Sequence, residues 1–213
     1  MDGLIDITQF DTSAITFSTI KKNKNGGKFV SITGKRFIRL PAMRAPFGAS
    51  APGEQVKEYY LNLSVEDPVV SEKLTALDAK VLEFVHQNSV ALLGKEIDIA
   101  VMRDLLYSPV LKQSKDGKYA PTIKAKASSR EGAETSPVYN SKKELVSLTD
   151  VTPGCQVASV IELSQIWFIN GKFGLSMRLN QAKLTASNKL TKYAFDDDDE
   201  PVVEEDEIDG PTD

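Results

Sequence analysis

The chain has 213 residues, 41% of them hydrophobic, with 26 Lys and Arg against 30 Asp and Glu, which is enough apolar material for an ordinary core. One cysteine, Cys155, and one histidine, His86, exclude an intrachain disulfide and a Cys/His zinc cluster, and no run approaches the roughly 18 apolar residues of a membrane span. The start, Met1-Asp2-Gly3-Leu4-Ile5-Asp6, lacks the basic and apolar regions of a secretory signal, so the expectation is a soluble, intracellular protein.

In chain order, Gly26-Gly27-Lys28 lacks the spacing of a phosphate-binding P-loop and reads as a flexible basic loop, with Lys21, Lys22, Lys24 and Lys28 within reach of phosphates. Residues 29–40 alternate with period two, which makes them a strand run. Val30, Ile32, Ile38 and Leu40 fall on a core face, and Phe29, Ser31, Lys35, Phe37 and Arg39 on a basic, aromatic one. Residues 59–65 alternate likewise, with Tyr59, Leu61, Leu63 and Val65 inward and Tyr60 outward. Val70, Leu74, Leu77, Val81 and Val85 then recur at three- and four-residue steps behind Asp67-Pro68, an N-cap followed by proline. This predicts an amphipathic helix over about 68–88, with His86 a surface residue near its end.

Residues 96–106 read as a strand end or a short helical piece, and the pattern does not choose between them. Asp116-Gly117 marks a hairpin between residues 110–115 and a returning strand, residues 122–127, that puts Lys124 and Lys126 on one face. The polar stretch 128–143 reads as a surface loop. A second hairpin turns at Asn170-Gly171 between residues 157–169 and 173–184. Its alternation directs Arg178 away from the core and places Trp167 in the core with Leu163 and Ile169.

The last eighteen residues, 196–213, carry eleven carboxylates and no basic residue, whereas the chain before them carries 26 basic residues against 19 acidic. Asp196, Asp197, Asp198, Asp199, Glu200, Glu204, Glu205, Asp206 and Glu207 form the bulk of this block, which reads as a disordered interaction tail. Residues 1–195 are expected to be one folded, basic domain. Its face bearing Phe29, Lys35, Phe37, Arg39, Lys124, Lys126 and Arg178 has what single-stranded nucleic acid requires, cations along a backbone and rings beneath bases.

Residues 108–127 (SPVLKQSKDGKYAPTIKAKA), residues 166–184 (IWFINGKFGLSMRLNQAKL) and the acidic tail resemble the single-stranded DNA-binding proteins of large nucleocytoplasmic DNA viruses, relatives of the tailed-phage replicative type. The resemblance covers about residues 105–185 and the tail. It implies a mainly β OB-fold barrel elaborated by the helix and extra hairpins. It also implies DNA contacts from among Lys112, Lys118, Tyr119, Lys124, Lys126, Lys172, Arg178 and Lys183. The phage relatives end their tail in an aromatic residue, whereas this chain ends Gly210-Pro211-Thr212-Asp213, and its nearest aromatic is Phe195.

The expected function is therefore non-enzymatic coating of single-stranded DNA in replication, recombination and repair, with no cofactor or metal. The tail either competes for the DNA groove or recruits a polymerase, helicase or primase, and a homodimer is compatible with the pattern. With the viral resemblance, the place of action is host cytoplasm or nucleus at sites of viral DNA replication. Two other readings stay open: a histone-chaperone-like or assembly protein acting through its tail, and an RNA-binding OB module.

Overall fold

The computed structural model describes residues 3–50, 58–130, 133–134 and 136–186; the acidic tail expected over 196–213 lies outside them. The two-residue alternation becomes strands β1 (Leu4–Asp6), β2 (Ile15–Lys22), β3 (Lys28–Gly34), β4 (Phe37–Ala45), β5 (Ala49–Ser50) and β6 (Glu58–Ser64). Helices α1 (Pro68–Gln87), α2 (Ser89–Leu93) and α3 (Ile99–Val101) follow, the last running into a π turn over Met102–Leu106. The remaining strands are β7 (Tyr107–Ser108), β8 (Thr122–Arg130), β9 (Ala133–Glu134), β10 (Val138–Tyr139), β11 (Leu145–Val146), β12 (Cys155–Ile169) and β13 (Lys172–Ala186).

Hydrogen-bonded neighbours run β4-β12-β13-β8-β6, and β4 packs against β6, so these five strands curl into a barrel. Taken in chain order they are the first (β4), second (β6), third (β8), fourth (β12) and fifth (β13) barrel strands. The third and fifth pair in parallel at Lys126 and Arg178, while the other ladders are antiparallel. This is the five-stranded Greek-key connectivity of an OB-fold. Ile32, Ile38, Leu40, Leu61, Leu63, Ile123, Val157, Ile161 and Leu163 seal the interior. Each fully buried aliphatic side chain of this size stabilises the fold by about 1.5–3 kcal/mol.

Helix α1 begins where the sequence predicts, because the Asp67 carboxylate accepts from the backbone N–H groups of Val69 and Val70 and Pro68 occupies the first turn. Its apolar stripe divides its work. Val70, Leu74 and Leu77 join the barrel core, whereas Val81, Leu82 and Val85 join Val30, Ile166 and Phe173 in a second cluster. His86 lies half-buried in the last turn.

Three expectations need correction, and one open alternative is decided. The run 29–40 is two strands, β3 and β4, which bend at Lys35-Arg36 yet follow the same edge of β12. Of the alternatives open for residues 96–106, the helical one forms over Ile99–Leu106, because Asp98 caps the amides of Ala100 and Val101. The Asp116-Gly117 turn forms, but its two arms share a single bridge, Lys112 to Thr122, and β8 instead pairs along its length with β6. The alternation of β8 buries Ile123, Ala125 and Ala127, and that burial selects the barrel partner over the local one. Finally, residues 128–143 are not simply a loop. Val138 is sealed in β10 beside β13, and the buried Ser136 hydroxyl donates to the Leu179 carbonyl at 2.6 Å.

Candidate nucleic-acid interface

The site begins with one extra residue. The Asn170-Gly171 turn, with φ of 50° and 75°, fixes the register of β12 against β13. That register slips between Leu163 and Gln165, so Ser164 is a bulge. Before it Val157, Ile161 and Leu163 point inward; after it Ile166 and Phe168 do. Gln165, Trp167 and Ile169 are thereby turned outward, which corrects the core placement of Trp167. Its indole crosses over Gly174 on β13, where a Cβ would stand 2.7 Å from Cζ2. The glycine lets the ring lie close to the sheet.

Trp167 lines a groove of about 450 Å³, with Tyr60 from β6, Lys124 and Lys126 from β8, and Lys112 from the segment after β7. OB-folds bind oligonucleotides on the face of their second and third strands and at the loop joining the fourth and fifth. Here β6 and β8 supply that face, and Ile169, beside the Asn170-Gly171 turn, marks that loop. Among the described residues that line the groove there is no carboxylate. The Lys124 ammonium sits 3.6 Å above the centre of the Tyr60 ring, a cation–π contact. Burial, and then the charge of Lys112, lower the Lys124 pKa from its ordinary value.

One wall of the groove is held from behind. Asp78 on α1 accepts from the Tyr107 hydroxyl, from the Val110 amide at 2.9 Å and from the Leu111 amide at 3.4 Å. It thereby fixes the segment that supplies Ser108, Pro109, Val110 and Lys112. Burial pushes the Asp78 carboxyl pKa up, with the hydrogen bonds from Tyr107, Val110 and Leu111 opposing. Burial, and then the neighbouring carboxylate, push the Tyr107 phenol up as well.

Of the residues singled out from sequence, Lys112, Lys124 and Lys126 converge on this groove, and exposed Arg178 stands in register beside Lys126. Phe29, half-buried, is the cross-strand neighbour of Trp167. The others lie apart. Lys28 donates to the carbonyls of Ala91 and Leu92 at 3.0 and 3.1 Å, capping α2. Phe37 lies under the Arg36 guanidinium at 5.3 Å, Arg39 pairs in register with Asp6, and Lys35 is exposed at the bend. Lys118 is 4.0 Å from Asp116, with exposed Tyr119 beside it on the same turn. Lys172 is exposed where β13 begins, and Lys183 is exposed far along that strand, opposite Ala158. Asp78 carries no signal in the sequence beyond its place in the helix.

Residues 53–197 match the model described as "Family of unknown function (DUF5871)". The chain belongs to this family. Every groove-lining residue named above falls inside the DUF5871 match, whereas β2 and β3 lie outside it. No curated protein matches the chain. Among solved structures, the C-terminal truncation of the single-stranded DNA-binding protein from bacteriophage Enc34 is similar at 15% identity and a TM-score of 0.47, over 82% of this chain and 95% of that one. The same phage protein in complex with ssDNA is similar at 16% identity and a TM-score of 0.42, over 82% and 97%.

Proposed function

We propose that this DUF5871 member binds single-stranded DNA largely without sequence preference and coats it during replication, recombination and repair. The observation that carries the reading is the meeting of Lys112, Lys124, Lys126, Tyr60 and Trp167 in one groove whose described lining has no carboxylate. Lysines attract the phosphates, and the indole and phenol offer faces on which bases stack at about 1–3 kcal/mol per base, tolerantly of sequence because every base has a π-face. A duplex keeps its base faces stacked inside, so the same groove favours unpaired strands.

The tail over 196–213, with eleven carboxylates, presents the same sign of charge as the ligand. It competes for the groove or engages a polymerase, helicase or primase, and the protein acts in host cytoplasm or nucleus at sites of viral DNA replication. The resemblance of residues 108–127 and 166–184 to the proteins of large DNA viruses supports that setting.

Gel-shift titration of the full chain with single-stranded and duplex oligonucleotides at two salt concentrations tests the reading. Tighter binding of the single strand, weakened by salt through counterion release, is expected. Equal or absent binding of both would overturn it. Preferential displacement by RNA of the same sequence would reassign the groove to RNA, since the 2′-hydroxyl is the group that separates the two.

A further inference from the structure

The surface that carries Trp167 does not stop at the groove. Residues directly opposite one another in a ladder share a face of the sheet. Such a row runs from Ser108 through Gly174, Trp167 and Phe29 to Lys21, crossing β7, β13, β12, β3 and β2. Ser108 and Trp167 line the groove, Phe29 is half-buried and Lys21 is exposed. With strands about 4.8 Å apart the row covers roughly 19 Å. That equals at most about six nucleotides at the 3.4 Å rise of a stacked strand.

The other side of the same hairpin is occupied by helices. Val30 packs with Val81, Val85 and Leu92, and Phe17 stacks on Phe84 with ring centroids 4.2 Å apart. Lys28, the neighbour of Phe29, turns to this back side and caps α2. Lys22 is the cross-strand partner of Lys28 and shares its face. The hairpin is thus braced from behind and presents Phe29 and Lys21 in front.

We infer that the front of the β2–β3 hairpin is a second segment of the nucleic-acid interface, in which Phe29 stacks a base next to the one on Trp167 and Lys21 holds the phosphate beyond it. This rests on the groove binding single strands. It splits a basic hairpin into two sides: Lys21 binds, whereas Lys22 and Lys28 do not.

The test is fluorescence anisotropy of the full chain with oligothymidylates of about four and about sixteen nucleotides, the limits of OB-fold site sizes. Lys21→Ala should weaken the longer ligand roughly three- to tenfold and lower its salt slope by about one, as loss of one phosphate contact does. Phe29→Leu should weaken it roughly tenfold through lost stacking. Both should leave the short ligand unchanged, and Lys22→Ala should leave both ligands unchanged. Equal effects of Lys21→Ala and Lys22→Ala would overturn the inference, because two faces of one hairpin would then act only through their shared field. Binding of neither ligand by the native chain would remove the groove reading itself, and the extension with it.

Discussion

The outer face of the barrel carries cations in two regions, and they keep different company. Near β1 and β4, the Arg36 guanidinium is 3.2 Å from the Glu162 carboxylate and Arg39 stands opposite Asp6. The Thr8 hydrogen bonds and, more weakly, the Arg39 charge lower the Asp6 pKa. In the groove, burial and then the charge of Lys112 lower the Lys124 pKa, and no described lining residue is acidic. A basic count along a strand therefore says little about binding. What matters is the company each cation keeps, because a cleft whose described lining carries one sign of charge focuses its field on a polyanion.

Reversing the groove's charge breaks this contrast most severely. Lys124→Glu with Lys126→Glu would replace the two proposed phosphate contacts by repulsions, and charge-assisted contacts of about 1.5–3 kcal/mol each predict a loss of about a hundredfold or more. Affinity for a single-stranded oligonucleotide measures it. A loss below about threefold would place the binding surface elsewhere. Both side chains stand on the outer face of β8, so the fold itself should be little disturbed.

Removing one ring while leaving the charges intact comes next. Trp167→Ala should cost about thirtyfold in affinity, near the middle of the stacking range, with the salt slope unchanged because no phosphate contact is lost. In the native protein, indole fluorescence should be quenched on binding, and it is an unambiguous probe because Trp167 is the single tryptophan. A fully affine variant, or an unquenched native signal, would show that Trp167 is a packing residue.

That this ring lines the groove is not legible from alternation. Barrel strands β6, β8, β12 and β13, α1 with its Asp67 cap, and the Asn170-Gly171 hairpin could be read directly, because each is written in local periodicity and turn chemistry. Lys112, Lys124 and Lys126 could be read as basic, and two of them as sharing a face. Period-two counting from Leu163 carries through Ser164 unbroken and so places Trp167 in the core, whereas one bulged residue reverses everything after it. The adjacent polar pair Ser164-Gln165 is the one local trace of the change of phase. Asp78 escaped for a different reason, since its partners lie about thirty residues away and are brought to it only by the tertiary fold.

The smallest effect belongs to the neutralised region, and it is the sharper test of the comparison for that reason. Arg39→Gln removes a positive charge of the same size from the same outer face, and a count of cations predicts for it what it predicts for Lys126. Its companion in register is Asp6, so the change also leaves that carboxylate without its nearest opposing charge. The site changes from near neutral to a single negative charge, and charges more than about 8–10 Å away are screened at physiological salt. Affinity should therefore fall less than about twofold, which is the size expected for exposed, partnered charges. A fall as large as that of Lys126→Gln, measured side by side, would mean that the acids of β1 and β12 do not quench their arginines and that DNA wraps the whole barrel.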